Sequence, residues 1–321
     1  MGTNKNKTGF RRKFFCRELG TFTGLVLICT ALTILEPARF PEIGNLLNIL
    51  AQVSQYAIIA AGMTLVIISG GIDLSVGSVL SLSTCVGAFV ATSLGFGGYT
   101  AIATTLVVGL CFGLVNGLLI TKVGIPPFIA TLGTMGVARG LAFRMTNGGT
   151  ITNIPHEFAY LGSQNVGFIP AVVPALLFVY VIAHIVLAGT RVGMYIYAVG
   201  GNENAARLSG VPIGKTKLFA YTCVGTLSAL AGIVNAGRVG AVPPQAGEGY
   251  ELDAIAAVVI GGTSLSGGQG RMIGSLIGAL IMGVVRNGLN LMNVDPNWQR
   301  VVIGLIIVLA ATVDVLQKRR A

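Results

Sequence analysis

The chain has 321 residues, of which 53% are hydrophobic and only 10% are charged. An average soluble domain is about 25% charged, so this composition argues against a soluble enzyme, a disordered scaffold and a nucleic-acid-binding module. The charges are unequal, with 21 Lys and Arg against 11 Asp and Glu, so the positions of the cations along the chain are informative.

Ten apolar runs have the length of membrane-spanning helices, since a helix crosses the roughly 30 Å hydrocarbon layer in about 20 residues. They lie at about 18–36, 47–69, 74–95, 98–120, 125–145, 167–188, 217–237, 253–267, 271–292 and 298–317. Strands of a membrane barrel would alternate over about ten residues, and these runs are longer and more continuous. We therefore predict an all-α fold, a polytopic transmembrane helix bundle of about ten spans.

The cations favour one orientation of this bundle. If the N-terminus is cytoplasmic and the ten spans alternate, inside segments hold all but six of the 21 cations. The six exceptions are Arg39, Arg139, Arg144, Arg238, Arg286 and Arg300. This is the positive-inside asymmetry of membrane proteins. An even number of spans also makes both basic termini cytoplasmic. The predicted organisation is a basic segment at 1–17, a transmembrane domain at 18–317 and a basic tail at 318–321.

Two glycine-rich stretches, at 70–77 and 261–268, interrupt the apolar runs and echo each other as Gly-Gly-x-x-Leu-Ser-x-Gly. Internal repeats are frequent in transporters. Irregular backbone at membrane depth is tolerated where it is buried in protein or lines a cavity. Either stretch therefore lines a pathway or simply turns the chain. Two further glycine series, 109/113/117 and 270/274/278, give small helix faces that we expect to pack within the chain.

The longest cytoplasmic segment, about 189–216, contains a predicted helix of about two turns. Asn202 suits its N-cap, Glu203 suits the positive end of the helix dipole, and Gly210 suits the position after its end. Leu208 and Val211 are expected to make its apolar contacts. Such a helix either lies on the membrane surface or docks into a cytoplasmic partner.

The sequence shows no motif for nucleotide binding, metal binding or catalysis. The stretch from Gly210 to Thr216 approaches a phosphate-binding loop, but it has three residues between its glycines where the motif needs four. Any ATP must therefore bind another chain. The Cys and His residues have no metal-ligand or catalytic spacing. Acidic residues deep in the bundle are scarce, which weakens the case for an ion-coupled transporter.

Several segments resemble the permease subunits of bacterial ABC importers for simple sugars, the ribose type of the sugar/branched-chain amino acid permease family in particular. The segments are 62–67, 71–78, 128–133, 197–202, 249–256, 261–265 and 287–290. The resemblance covers about 45–317. It implies a multi-pass protein of the bacterial cytoplasmic (inner) membrane that translocates ribose or a similar monosaccharide and has no catalytic residue, metal or cofactor of its own.

The resemblance also implies the partners. A separate ABC ATPase subunit would bind ATP and Mg, a periplasmic or extracellular sugar-binding protein would deliver the cargo, and a second permease copy would complete a homodimer. In that family the cytoplasmic loop between the sixth and seventh spans couples to the ATPase. Its positions here are Asn202, Glu203, Ala205, Ala206, Arg207, Leu208 and Gly210. Many importers have Glu-Ala-Ala-x3-Gly in this loop, whereas this chain has Asn204 in place of that Glu.

Two further groups of residues are candidates. A neutral cargo calls for an uncharged, hydrogen-bonding lining, for which the candidates are Asp73, Ser75, Asn116, Thr131, Asn287 and Asn290; interhelical hydrogen bonding is the alternative role for each. The candidates for docking the binding protein on the outer side are Arg39, Asn147, Glu157, Arg238 and Glu248, with simple solvation as the alternative. Three other functions stay open: an ion-coupled secondary transporter of a small neutral solute, an ABC permease for another small solute, and a membrane-embedded enzyme.

Overall fold

The computed structural model describes residues 5–319, with side chains from 20 to 312. Residues 1–4 and 320–321 of the two predicted basic ends lie outside the described residues. The helices are α1 (Lys5–Leu35), α2 (Ile43–Ile68), α3 (Val76–Thr92), α4 (Gly98–Leu118), α5 (Pro127–Thr146), α6 (His156–Ser163), α7 (Val172–Gly189), α8 (Arg191–Gly201), α9 (Glu203–Leu208), α10 (Ile213–Val239), α11 (Tyr250–Ile260), α12 (Met272–Leu291) and α13 (Pro296–Arg319). A π-helical turn, Leu119–Val123, continues α4, and two short strands, β1 (Asn165–Val166) and β2 (Ile169–Pro170), form a hairpin.

The prediction of a helical membrane bundle is confirmed. Within residues 20–312, five helices are long and apolar enough to cross a membrane: α2, α4 with its π-turn, α7, α10 and α12. Apolar stretches of α1, α3 and α13 are shorter. Each predicted run overlaps one helix, namely α1 to α5, α7 and α10 to α13. The number of spans and the side on which the ends lie remain predictions.

Glycine faces hold the centre of the bundle together. A Cβ on Gly109 would lie 2.5 Å from the carbonyl oxygen of Gly225, so α4 and α10 meet backbone to backbone. In the same way, Gly274 and Gly278 of α12 meet the backbone of α11 at Gly261 and Ala257. Small residues allow this close approach between helices in a membrane. The expectation that both glycine series pack within the chain is therefore confirmed.

The predicted eighth run is wrong at its C-terminal end. It was expected to reach residue 267, but α11 ends at Ile260 and the chain is irregular from 261 to 271. The cause is the second glycine-rich stretch, where Gly262, Gly267 and Gly268 all have positive φ. Similarly, α3 begins only at Val76, near the end of the first stretch. Both glycine stretches therefore leave a shortened helix beside irregular backbone.

Contacts between connecting segments define two ends of the bundle. At one end, Arg238 donates to Asn48 at 3.1 Å and an isolated bridge pairs Ile151 with Val242. At the other end, the amide of Gly268 donates to the carbonyl of Ile68 at 2.8 Å. The 26 residues of α2 separate these ends by about 39 Å, at 1.5 Å per residue. Following the predicted topology, we call the first the outer end and the second the inner end.

Candidate functional site

The short helix α9 at the inner end has the caps that the sequence predicts. The side-chain oxygen of Asn202 accepts from the amide of Ala205 at 2.9 Å, which satisfies one of the free donors of the first turn. Gly210 follows the helix with a φ of 77°, a left-handed conformation that favours glycine. The structure therefore confirms a helix at 203–208, slightly shorter than two turns.

The rest of the described chain does not cover Leu208, so its apolar contact with a partner or with the membrane surface stays a prediction. Leu208 is 90% exposed, whereas Ala206 is only 4% exposed and faces the bundle. Two residues along a helix correspond to a rotation of about 200°, so the face that seats Ala206 turns Leu208 to the outside. The larger apolar side chain of α9 is therefore presented away from the protein.

Glu203 ties α9 to the start of α10. Its carboxylate accepts from Lys217 Nζ at 2.7 Å and from Arg207 at 3.3 Å. The hydrogen bond from Lys217 holds the pKa of Glu203 below its usual value, and both cations add to this effect. The ion pair between Glu203 and Lys217 holds the N-terminal end of α9 against α10.

A groove of about 560 Å³ separates α9 and the start of α10 from the π-turn that ends α4. Arg207, Val211 and Lys217 line one side, and Thr121 and Pro126 line the other. The groove lies beside the exposed Leu208, so this part of the inner end combines an apolar tip, cations and a concavity. Such a combination suits contact with another protein chain.

The two echoing glycine stretches meet at the end of α8, the helix that leads into α9. A Cβ on Gly267 would lie 2.7 Å from the carbonyl oxygen of Gly200 and 3.1 Å from Cα of Gly70. A Cβ on Gly268 would lie 2.7 Å from Cα of Gly201. Gly70, Gly267 and Gly268 all have positive φ. The stretches are therefore in contact with each other and with the residue pair that precedes the α9 cap.

Four of the six candidate pathway residues share one buried cluster towards the inner end. Asp73 accepts from the amide and hydroxyl of Ser75 at 2.8 and 2.6 Å. Asn116 donates to the Ser75 hydroxyl at 2.9 Å and accepts from Thr134 at 2.7 Å. The Thr131 hydroxyl bonds mainly within its own helix, to Pro127, and reaches the Ile72 carbonyl at 3.5 Å. Thr134, which the sequence did not single out, completes the cluster.

The other two candidates lie at the outer end. Asn287 exchanges amide hydrogen bonds of 2.7 and 3.1 Å with Asn45 at the start of α2. Asn290 is exposed and accepts from the buried Gln299 at 2.8 Å. The six candidates therefore belong to two separate clusters, and each is engaged in hydrogen bonds within the chain.

Four of the candidate docking residues, Arg39, Asn147, Glu157 and Arg238, lie at the outer end, whereas Glu248 follows Gly247, which packs on Gly77 at the start of α3. Arg39, Asn147, Glu157 and Glu248 are exposed, and Arg238 is partly buried beside Asn48. The segments that carry them are joined: α6, which contains Glu157, packs on the end of α10 next to Arg238. The structure brings four of the five residues to one end of the bundle without bringing them into a single contact cluster.

A polar network between helices in the middle of the bundle was missed by the sequence analysis. Asp253 of α11, 1% exposed, binds Arg286 of α12 through both carboxylate oxygens at 2.6 and 2.7 Å. Beside this pair, α11, α12 and α13 enclose a cavity of about 490 Å³. The two residues are 33 positions apart. The only sequence signal for this contact is that one acidic and one basic residue each lie in an apolar run.

A second part of this network fixes the loop after α10. Arg139 of α5 donates to the carbonyls of Pro244 and Ala246 at 2.8 and 2.9 Å. Deeper in the bundle, Gln55 accepts from Asn235 at 2.9 Å and from Tyr250 at 2.7 Å. Each of these amides is buried and has a partner, as buried polar groups require.

The residues that the structure describes contain no group of three or more His, Cys, Asp or Glu side chains able to hold a metal ion. The chemistry available at both ends is hydrogen bonding and ion pairing. Such an arrangement suits binding and conformational change.

Comparison with known proteins covers nearly the whole chain. The family described as "Branched-chain amino acid transport system / permease component" matches residues 45–311. The chain is 45% identical over 319 residues to the ribose import permease protein of Bacillus subtilis, covering 98% of both chains. It is 43% identical to the ribose import permease protein of Escherichia coli, covering 94% of this chain and 96% of the relative.

A third relative has another sugar in its name. The D-allose transport system permease protein of Escherichia coli is 36% identical over 308 residues, covering 96% of this chain and 94% of that protein. No solved structure matches the chain.

Proposed function

The chain belongs to the family of permease components of branched-chain amino acid transport systems, and from this premise we propose that it carries a monosaccharide, ribose in the first place, across the membrane. As an ABC permease of this family it is a multi-pass subunit of the bacterial inner membrane and not an enzyme. An importer of this type works with an ATPase subunit and a binding protein. ATP and Mg belong to the ATPase.

The observation that carries the choice of ribose is the 45% identity that extends over 98% of both this chain and a ribose import permease. The test is uptake of labelled ribose, allose and galactose into proteoliposomes that contain the chain, its ATPase and its binding protein. We expect ATP-dependent ribose uptake. Uptake of only another solute would overturn the choice of ribose, and uptake by the chain alone under an ion gradient would overturn the ABC mechanism.

We propose that α9 is the ATPase-coupling helix and that Leu208 is its docking tip. An apolar side chain that is 90% exposed in a cytoplasmic segment is best accounted for by a partner that covers it. The test is co-purification of the ATPase with Leu208→Asp. Loss of the ATPase is expected, with normal binding by the control Asn204→Asp, an exposed polar residue of the same helix. Equal binding by both variants would contradict the assignment.

We propose that the cluster of Asp73, Ser75, Asn116 and Thr131 lines the pathway near the inner end, and that Asn287 and Asn290 line it near the outer end. The inner cluster contains a carboxyl, hydroxyl groups and an amide, and the outer cluster contains amides; such groups are able to bond a sugar weakly and release it. The matched variants Asn116→Ser and Thr134→Val distinguish a lining role from a structural one. Substitution of a lining residue changes the KM for uptake, whereas substitution of a purely structural residue changes only the stability of the protein.

We propose that the outer end receives the binding protein through Arg39, Asn147, Glu157, Arg238 and Glu248. The support is the outer-end location of Arg39, Asn147, Glu157 and Arg238, and the exposure of all five residues except Arg238. Charge reversal at Glu248 should raise the KM for the loaded binding protein, and added salt should reduce the difference from the wild type. An unchanged KM in low salt would contradict a role for Glu248.

We propose that two copies of the chain assemble through α5. This helix is not among the five that are apolar enough to span a membrane alone, yet Gly133, Gly136 and Gly140 on it have open space beside them. Such a small-residue face suits close contact with a second helix. Gly136→Cys should cross-link two copies, whereas Ile185→Cys on the exposed face of α7 should not. The reverse result would move the contact elsewhere.

A further inference from the structure

We infer that the two echoing glycine stretches form a clasp on the end of α8, which positions α9 and transmits its displacement to α2 and α12. We define the glycine clasp as Gly70, Gly200, Gly267 and Gly268. The inference rests on the proposed coupling role of α9 and assigns a function to a repeat that this role leaves unexplained.

The clasp consists of main-chain contacts. The amide of Gly268 donates to the carbonyl of Ile68 at 2.8 Å, so the two stretches are bonded directly. Gly200 fits between them, because a Cβ there would overlap the Ile68 carbonyl oxygen and lie 2.6 Å from the Gly268 amide nitrogen. No side chain fits at this point. Three segments from distant parts of the sequence thus touch through backbone atoms alone.

Only Asn202 separates α8, which ends at Gly201, from α9, which begins at Glu203. A displacement of α9 therefore reaches the clasp within one or two residues. Side chains in contact absorb small displacements by changing rotamer, but backbone atoms at van der Waals contact have no such freedom. Tyr197 adds a second attachment on the same side, donating to the Gly270 carbonyl at 2.7 Å.

The clasp leads into the bundle core and into the polar cluster at the inner end. Ile68 is the last residue of α2, of which the most apolar segment is 89% buried. Three residues beyond the clasp glycine Gly70, Asp73 begins the hydrogen bonds that reach Asn116 on α4 and Thr134 on α5. A movement of α8 is thus passed through backbone to α2 and α12, and through hydrogen bonds to α4 and α5.

The chain provides a matched control beside the clasp. Gly201 is the next residue of the same helix end, has an ordinary φ, and has nothing within 4 Å of a Cβ placed on it. Gly201→Ala therefore tests the loss of a glycine before α9, while Gly200→Ala tests the clasp. Gly200 is a positioning residue, because it acts through the backbone contacts of the clasp.

The experiment uses the complete importer in proteoliposomes, with its ATPase and binding protein, and measures sugar transported per ATP hydrolysed. For Gly200→Ala we expect this ratio to fall by about two- to thirty-fold, the range that single residues in a coupling network produce. Basal ATPase activity and ATPase binding should equal those of the wild type. Gly201→Ala should behave as the wild type in all three measurements.

Tyr197→Phe keeps the test decisive if Gly200→Ala does not fold. It removes only the hydrogen bond to Gly270, and we expect a smaller fall of the same ratio. A wild-type ratio in whichever of these variants folds would overturn the clasp. Weakened ATPase binding in Gly200→Ala would also overturn it, because the defect would then be in docking. If the wild-type importer itself shows no ATP-driven transport, the proposed function fails and not the clasp.

Discussion

The inner and outer ends of the bundle are held together in different ways. At the inner end, α8, α2 and the segment before α12 meet through glycine backbones. In the middle of the bundle and at the outer end, side chains add connections: Arg139 to the 244–246 carbonyls, Asp253 to Arg286, and Asn45 to Asn287. Backbone contacts there join α6 to the end of α10. Backbone atoms in van der Waals contact move together when one segment is displaced. Side-chain hydrogen bonds can instead be replaced by hydrogen bonds to water or to a partner. The contrast fits the proposed coupling role of the inner end.

The largest change in stability is expected for the Asp253–Arg286 pair. Arg286→Met should cost about 3–5 kcal/mol, because it leaves the carboxylate of Asp253 buried without a partner. Asp253→Leu should cost less, because the side chain of Arg286 is 28% exposed. The double variant should recover most of that loss. Thermal unfolding of the purified protein in detergent measures both. Arg300→Met, an exposed cation that lines the same cavity, is the control, and single variants as stable as this control would contradict the prediction.

Arg139 is the next test. Arg139→Gln removes charged hydrogen bonds to two carbonyls, each worth about 1.5–3 kcal/mol where the acceptors are buried. We expect the cost to appear locally, as faster hydrogen exchange in residues 243–249, with the inner end unaffected. Arg144→Gln on the same helix is the control, since the structure gives Arg144 one long bond to Asn147 at 3.3 Å. Uniform loss of protection at both ends would mean that the ends are not independent.

A test towards the inner end uses the close packing of α11 and α12. A Cβ on Gly274 would overlap the carbonyl oxygen of Gly261, and over-packing of this kind costs about 1–3 kcal/mol. Gly274→Ala should therefore lower the thermal stability in detergent. Gly304→Ala on α13, where a Cβ has open space, should not. If both variants lose the same stability, steric fit does not account for the effect.

The smallest expected effect is that of the ion pair on α9. Since the pKa of Glu203 is lowered in the folded chain, its contribution is present above the usual carboxyl pKa of about 4.3 and is lost as the pH falls through the lowered value. Glu203 is partly exposed, so the coupling should be no more than about 1 kcal/mol. A double-mutant cycle with Glu203→Gln and Lys217→Gln at pH 7 and pH 3 measures it, and equal coupling at both pH values would contradict it.

Much of the fold follows from the sequence, because a lipid environment imposes long apolar helices. All ten predicted runs overlap helices, and the caps at Asn202 and Gly210 were read correctly from local chemistry. The errors occur where backbone conformation overrides hydropathy. The run ending at 267 stayed apolar past Ile260, but glycines with positive φ ended the helix.

The candidate site was less accessible to sequence reasoning. Asp73 and Ser75 are two positions apart, so their contact is predictable from the sequence. Asn116 and Asn287 stand out in the sequence only as polar residues in apolar runs, and the sequence does not indicate their partners. The Asp253–Arg286 pair and the Arg139 contacts join residues far apart in sequence, and no local pattern signals them. The inward turn of Ala206 and the outward turn of Leu208 depended on how α9 is seated.

The burial of α2 has a consequence for the synthesis of the protein. Its neighbours α7, α10, α11 and α12 all come later in the chain, so the newly inserted α2 first meets lipid on faces that later become interior. Until α10 and α11 arrive, the Gln55 amide lacks Asn235 and Tyr250, and an unpaired amide is costly in hydrocarbon. Nascent chains that stop before residue 213 should therefore be recognised as unfinished by membrane proteases, whereas complete chains should escape them.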